Sequence, residues 1–155
     1  MNKSISSLIP ILVMLVGTFE ADAQCRRFAR QRVISTLDDG QIIGHITSGA
    51  IGRGESASAV LPIEESGPVD LILSTHSDLG NVSYSVVDSR GTVYGEGRVR
   101  GSQERIAIDV EKDTDLIVRI ESERNKRAYT PIGCVALATT RVIDETNEFD
   151  LLTKE

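Results

Sequence analysis

The stretch D-L-I-V-R-I-E, Asp115 to Glu121, decides the fold because apolar and charged residues alternate along it. The apolar residues on one side of an extended chain are Leu116, Val118 and Ile120. The charged residues on the other side are Asp115, Arg119 and Glu121. A period of two with one dry and one wet side predicts a β-strand that covers a core on one face and meets solvent on the other.

The same period recurs through most of the chain after Leu37. Further strands are predicted at or near residues 40–47, 57–62, 69–73, 82–86, 92–99, 105–110 and 132–140. Asp88 and Gly91 occupy the first and fourth places of a type I turn, so the runs on either side form a hairpin. About eight or nine short strands with no helical period between them predict an all-β fold, an antiparallel two-sheet β-sandwich of jelly-roll type.

The N-terminus predicts a secretory signal peptide over residues 1–23. A basic start precedes an apolar run from Leu8 to Phe19, and the small residues Ala21 and Ala23 fit a cleavage site. The apolar run is shorter than the roughly 20 residues that a membrane-spanning helix needs, so no transmembrane anchor is expected. Cleavage would leave Gln24 as the first residue of a periplasmic or secreted protein.

The chain has only two cysteines, Cys25 and Cys134. Exported proteins meet an oxidising compartment in which paired thiols form disulfides, so these two residues are predicted to bond. Closing so long a loop removes on the order of 4 to 5 kcal/mol of unfolded-chain entropy. Two independent buried cysteines are the alternative. Lipidation of Cys25 is disfavoured because the residue before it, Gln24, is not small.

Composition and charge narrow the classes of function. The 155 residues carry a net charge of −6, contain no tryptophan and are only 4% aromatic. The acidic balance disfavours nucleic-acid binding, and scarce aromatic rings disfavour a stacking platform for sugars. After the signal peptide, the chain is predicted to divide into a basic N-terminal segment, 24–36, the β-sandwich domain, 37–142, and an acidic C-terminal tail, 143–155.

Four stretches follow one another in a familiar order of strands and turns: Gly40–Ile46, Val69–Leu73, Tyr84–Gly91 and Ile106–Ile120. In this order they resemble the bacterial pre-peptidase C-terminal domain, a jelly-roll sandwich. That family is a noncatalytic accessory to secreted proteins, implicated in export, anchoring or ligand binding, so the resemblance implies a binding role. The chain departs from the family at residues 57–61, which lack its usual aromatic residue, and in its cysteine pair. The run Val118–Asn125 is also similar to periplasmic lysozyme inhibitors of the goose type, which share a similar fold.

Catalysis is not expected from this sequence. His45 and His76 are the candidate general bases. His45 is predicted on the strand face opposite Ile42 and Ile46, and His76 in a loop after a strand. The sequence holds no nucleophile elbow, metalloprotease helix, phosphate-binding loop or dinucleotide fingerprint. No cofactor is predicted.

Carboxylates in two turns raise the question of calcium binding. Asp38-Asp39-Gly40 and Glu111–Asp115 offer the oxygen ligands that hard cations prefer. Neither stretch has the EF-hand spacing, and Asp and Gly in turns commonly serve backbone geometry. No metal site is predicted.

Basic residues cluster in two segments of an otherwise acidic chain and form the predicted binding patch. Its members are Arg26, Arg27, Arg30, Arg32, Arg124, Lys126 and Arg127. A bond between Cys25 and Cys134 would bring both segments towards one end of the sandwich. There they would attract an anionic glycan, a lipid headgroup or an envelope protein. The alternative is a solvated, mobile N-terminal arm.

The sequence therefore favours an exported, noncatalytic β-sandwich module that binds a ligand in the bacterial cell envelope. The alternative is a periplasmic protein inhibitor of an envelope hydrolase such as a lysozyme. A small disulfide-bonded sandwich with rigid loops is a suitable scaffold for such an inhibitor.

Overall fold

The computed structural model describes residues 16–124 and 132–142, which form one α-helix and eight strands. Helix α1 spans Val16–Ile34. The strands are β1 Gln41–Gly52, β2 Ser56–Ile63, β3 Gly67–Thr75, β4 Val82–Asp88, β5 Val93–Arg98, β6 Gln103–Val110, β7 Thr114–Ser122 and β8 Ile132–Val142. A single-turn 3₁₀ helix, Ser77–Leu79, lies between β3 and β4.

The strands form two antiparallel sheets of four strands each, so the predicted all-β sandwich is confirmed. Sheet A has the order β1-β8-β3-β6, and sheet B has the order β2-β7-β4-β5. The stretch Asp115–Glu121 lies in β7, next to the centre of sheet B. Its apolar side, exemplified by Leu116 and Val118, is buried, whereas Arg119 and Glu121 are exposed.

The hydrophobic core fills the space between the two sheets. Its most completely buried members, each 0% exposed, include Leu61, Leu71, Leu73, Val86, Leu116 and Val118. Burying a side chain of this kind stabilises a protein by about 1.5–3 kcal/mol. The packing of this core therefore holds the two sheets together without help from the loops.

The predicted turn between β4 and β5 is also present. The Gly91 N–H donates to the Asp88 carbonyl at 3.1 Å, which closes the turn. Gly91 has a φ of 86°, a left-handed conformation that favours glycine. The Asp88 carboxylate accepts the N–H groups of Arg90 and Thr92 at 2.9 and 2.8 Å.

Helix α1 covers the outer face of sheet A, packing against β1, β8 and β3. Cys25, Ala29 and Val33 recur at every fourth position and are at most 1% exposed, so they form a narrow stripe that faces the sheet. Beneath it, β8 is buried on both faces over the whole run Val135–Thr140. The outward-facing residues of that run beneath the helix are small: Ala136 and Ala138.

A disulfide joins Cys25 to Cys134, as predicted, across a separation of 109 residues. It holds the middle of α1 against β8. Beyond the C-terminal end of the helix, Arg105 of β6 donates to the Thr36 carbonyl and to the Asp38 carboxylate, both at 2.6 Å. Residues 24–34 are therefore a docked helix rather than a mobile arm.

The boundaries predicted at the two termini stay predictions. Helix α1 passes through Ala23 and Gln24, the predicted cleavage site, without a break. The start of the predicted signal peptide, 1–15, and the acidic tail, 143–155, lie outside the described residues. Within the part of the chain that the structure describes, no helix combines the length and apolarity that a membrane crossing requires.

Strand β1 departs from the predicted alternation because of a bulge. Its register against β8 shifts between Ile43 and His45, which leaves Gly44 as the additional residue. A Cβ at Gly44 would lie 3.1 Å from the Thr139 hydroxyl, which accepts the His45 N–H at 2.9 Å. As a result Ile42 and His45 line the same surface depression, although strict alternation predicts opposite faces.

Candidate functional site

A groove between helix α1 and the edge strand β1 is the candidate binding site, and we call it the α1–β1 groove. Its volume is about 330 Å³. The helix contributes Asp22, Arg26, Ala29 and Arg30, and the strand contributes Ile46, Thr47 and Ser48. Because β1 lies at the edge of sheet A, the groove is open to solvent along one side.

Arg26 and Arg30 meet in the groove because they lie one helical turn apart on the same flank of α1. The Arg26 guanidinium lies 2.8 Å from the Asp22 carboxylate, an exposed pair four residues apart. Arg30 forms no ion pair with any other described residue. The groove therefore carries a net positive charge on an acidic protein.

This arrangement is suited to holding an anion. A guanidinium presents a planar fork of donors that matches a carboxylate, phosphate or sulfate group. Ser48 lies on the outer face of β1, opposite Ala136 of β8, and adds a hydroxyl on the strand side. Within the described lining, Arg26, Arg30 and Ser48 offer hydrogen-bond donors to an anion, and Asp22 is the one carboxylate that competes with an anion for them.

Two other predicted arginines of the helix lie away from the groove. Arg27 is exposed and, at 100° per residue, projects from the side of α1 opposite the buried stripe. Arg32 lies over the Phe28 ring, 5.6 Å from its centroid. An exposed cation–π contact of this kind contributes about 0.5–1 kcal/mol, so Arg32 has a structural role.

Arg124 lies in a second depression, at the end of the sandwich where β7 finishes. That depression has a volume of about 320 Å³, and Arg53, Asn81 and Glu123 also line it. Of the seven predicted residues, two thus line the α1–β1 groove and one lines this depression. Lys126 and Arg127 lie outside the described residues.

The two histidines make structural contacts. The backbone N–H of His76 donates to the Cys134 carbonyl at 2.8 Å. The imidazole Nδ1 of His76 caps the 3₁₀ helix by accepting the Asp78 N–H at 3.4 Å. Its ring lies 6.0 Å from the Phe28 ring, centroid to centroid. The predicted loop position of His76 is therefore confirmed, while His45 lies beside the bulge of β1.

The two acidic turns also have identifiable structural roles. Asp38 accepts a hydrogen bond from Arg105, and the Glu111 carboxylate accepts one from Arg90 at 2.9 Å. Asp113 has a φ of 57°, the left-handed conformation that Asp tolerates in turns. Across residues 16–124 and 132–142, no group of three or more His, Cys, Asp or Glu side chains is placed to hold a metal ion.

Asp88 is a strongly buried acid whose pKa is lowered. Burial alone raises the pKa of its carboxyl, but hydrogen bonds from Thr92 and Arg90, together with the Arg90 charge, lower the pKa below its ordinary value. The carboxylate also lies within 3.4 Å of the Tyr94 hydroxyl. These contacts stabilise the β4–β5 turn and leave the carboxylate no free face for chemistry.

The outer face of sheet B is a second open surface, which the sequence pattern did not identify. Strand register aligns its residues in three rows across the sheet: Ser56, Glu121, Ser83 and Arg98; then Ser58, Arg119, Ser85 and Glu96; then Val60, Ile117, Val87 and Val93. The β2, β7 and β4 residues of the first two rows border a depression of about 650 Å³. Each of those two rows pairs one cation with one anion, so neither row has a charge excess.

The α1–β1 groove and the outer face of sheet B differ in how far the sequence alone indicates them. The alternating serines of S-A-S, 56–58, and S-Y-S, 83–85, are visible in the sequence, but the pairing of their strands is not. Thr47 and Ser48 gave no signal, because they belong to a site only once α1 lies beside β1.

No family model matches the chain, so the resemblance to the pre-peptidase C-terminal domain stays a prediction. No curated protein matches it by sequence. Among solved structures, the fold is similar to that of PliG from Aeromonas hydrophila, a periplasmic inhibitor of g-type lysozyme. The two are 12% identical, the match covers 68% of this chain and 92% of that one, and the TM-score is 0.44.

A mutant of CBM29-2, a family 29 carbohydrate-binding module, is also similar in fold. It is 11% identical over 78% of this chain and 92% of that one, with a TM-score of 0.37. At these identities and TM-scores, neither likeness identifies a ligand for this chain.

Proposed function

We propose that this protein is an exported, noncatalytic binding module of the bacterial envelope that captures an anionic group in the α1–β1 groove. The observation that supports this most is the placement of Arg26 and Arg30 on one flank of a helix facing an edge strand. The disulfide and the buried stripe hold that helix in position. A preorganised site loses less entropy on binding than a mobile arm would.

The ligand class follows from the groove chemistry. Carboxylate, phosphate and sulfate groups all fit a pair of guanidinium donors, and they occur on glycans, lipid headgroups and proteins. The chain as a whole has a net charge of −6, so a positive groove orients an anionic partner towards one part of its surface. Binding at this exposed site should weaken as salt concentration rises.

Export has a direct consequence for the groove. The Cys25–Cys134 disulfide supports an oxidising compartment. Cleavage after Ala23 would remove Asp22, the acid that pairs with Arg26. The processed protein would then present both guanidinium groups to a ligand.

The test is calorimetric titration of the disulfide-bonded protein with poly-L-glutamate, a pure carboxylate probe. Replacing Arg26 and Arg30 together by glutamine should weaken binding at least about tenfold. The matched control replaces Arg27 and Arg119 by glutamine, which makes the same change in net charge on other surfaces. Equal weakening in both double variants, or no weakening in the first, would reject the groove as the site.

A second candidate function is inhibition of an envelope hydrolase such as a lysozyme, and the loop after β3 supports it. Leu79 of that loop is 0% exposed, and a Cβ at Gly133 of β8 would lie 2.6 Å from its side chain, so the loop packs closely against β8. Arg53 also donates to the Asp78 carbonyl at 2.7 Å. Such rigid loops suit the cleft of an enzyme. Undiminished peptidoglycan lysis by a goose-type lysozyme at equimolar protein would reject this candidate.

A further inference from the structure

We infer that the anionic ligand is an extended peptide segment of a partner protein, which adds to β1 as a fifth strand of sheet A. This inference rests on the proposed function, because it uses the α1–β1 groove as one half of the site. The other half is the main chain of β1 and an apolar slot on its inner side.

The first step is that β1 is a long edge strand. It has 12 residues and pairs with β8 alone among the described strands. Alternate residues of an edge strand direct N–H and C=O groups away from the sheet, where another strand can pair with them. The bulge at Gly44 interrupts this edge at one end, and at the other end the backbone N–H and C=O of Gly52 already bond Glu55, so regular pairing is confined to the part from His45 to Ile51.

The second step is that both faces of this part of β1 border a pocket. On the outer face lies the α1–β1 groove, and on the inner face lies an apolar slot of about 140 Å³ between β1 and β2. Small residues, including Gly49, Ala57 and Ala59, form its walls, and core residues form its floor: Ile51, Ile120, Val135 and Leu137. Thr47 and Ser48 border both the groove and the slot.

The third step combines strand geometry with these two pockets. Successive side chains of an extended peptide point to opposite faces. A peptide paired with β1 would direct one side chain to Arg26 and Arg30 and the next into the slot. The structure therefore selects a segment in which acidic and apolar residues alternate.

The size of the slot favours a peptide over a lipid. An apolar cavity of about 150 Å³ accepts a single benzene-sized molecule. The slot, at about 140 Å³, thus holds one valine-to-phenylalanine-sized side chain but not the length of an acyl chain. An anionic lipid would place its headgroup in the groove and leave most of its tail in water.

The test compares short capped peptides in titrations of the wild-type protein. One alternates glutamate and valine, and a second has the same composition in two blocks. We expect the alternating peptide to bind at least about tenfold more tightly than the block peptide. N-methylation of the alternating peptide at every second residue preserves its side chains but removes strand pairing, and should abolish that advantage.

A slot variant provides an independent measurement. Ala59→Leu fills the slot from β2 without touching the groove. It should therefore lower the affinity for the alternating peptide to that for the block peptide. Poly-L-glutamate binding should not change. If this variant does not fold, the comparison of the three peptides on the wild-type protein still decides the question.

The outcomes separate this inference from the proposed function. Equal affinity for the three peptides, with arginine-dependent binding of poly-L-glutamate retained, overturns strand addition and leaves anion binding in place. Loss of the arginine dependence overturns both. Retention on vesicles of phosphatidylglycerol and phosphatidylcholine, with no preference for the alternating peptide, overturns strand addition in favour of a lipid headgroup.

Discussion

The two sheets of the sandwich have the same number of strands but different outer faces. On sheet A, helix α1 covers the outer face, and Ile72 is only 1% exposed there. On sheet B, Ile117 has the corresponding outward position in a central strand and is partly exposed. The comparison indicates that the candidate site lies at the border of the covered face, where a helix and an edge strand meet, rather than on the open face.

Removal of the disulfide should have the largest effect on this arrangement. The Cys25→Ser, Cys134→Ser double variant loses the covalent link between α1 and β8, and we expect the free energy of unfolding to fall by about 4 kcal/mol. Guanidinium chloride denaturation of the oxidised wild type, the reduced wild type and the double variant measures this difference in the free energy of unfolding. A loss below about 1 kcal/mol would show that the helix is held by packing alone.

A pair of isoleucines tests the cover itself. Ile72→Ala removes a side chain buried beneath the helix and should cost about 3 kcal/mol, because it opens a cavity. Ile117→Ala makes the same chemical change on the open face and should cost less than about 1 kcal/mol. Equal losses in urea denaturation would mean that α1 does not cover sheet A in solution.

Two neighbouring threonines of β8 test the packing of the covered sheet A, because only one of their hydroxyl groups has a hydrogen-bond partner. The Thr140 hydroxyl is buried with no hydrogen-bond partner among the described residues, so Thr140→Val should stabilise the protein by about 1 kcal/mol. Thr139 accepts the His45 N–H, so Thr139→Val should destabilise it by a similar amount, about 1 kcal/mol. Thermal unfolding at one pH measures both changes, and shifts of the same sign would contradict this account.

The smallest expected effect concerns acid stability at the β4–β5 turn of sheet B. The pKa of Asp88 is lower in the folded state than its ordinary value of 3.8. Its contribution to stability is therefore fully present above that ordinary value and is lost as the pH falls through the folded-state pKa. Asp88→Asn should reduce the drop in denaturation midpoint between about pH 5 and about pH 3. An unchanged drop would assign the acid sensitivity to other carboxyl groups.

Much of the fold was predictable because its signals are local. Alternation identified all eight strands, Asp88 and Gly91 identified a turn, and the cysteine count identified the disulfide. Helix α1 was not predicted, since its inward stripe is narrow and made partly of small residues, among arginines that the sequence presents as a basic arm. The bulge at Gly44 depends on contact with Thr139 across the sheet, which no local pattern reveals.

The candidate site was predictable only in part. Arg26 and Arg30 were expected to bind an anion, but Arg27 belongs to another side of the same helix. Helical periodicity could have separated these residues once a helix was assigned. Thr47 and Ser48 join the site through the packing of α1 on β1, so their role required the structure.

The measurement that tests the central claim most directly is an NMR titration of isotopically labelled, disulfide-bonded protein with the alternating glutamate–valine peptide. Binding at the border of the covered face predicts backbone amide shifts that centre on Arg26 to Arg30 and on Ile46 to Ser48. Shifts confined to Ser83–Ser85 and Glu96–Arg98, on the open face of sheet B, would contradict it.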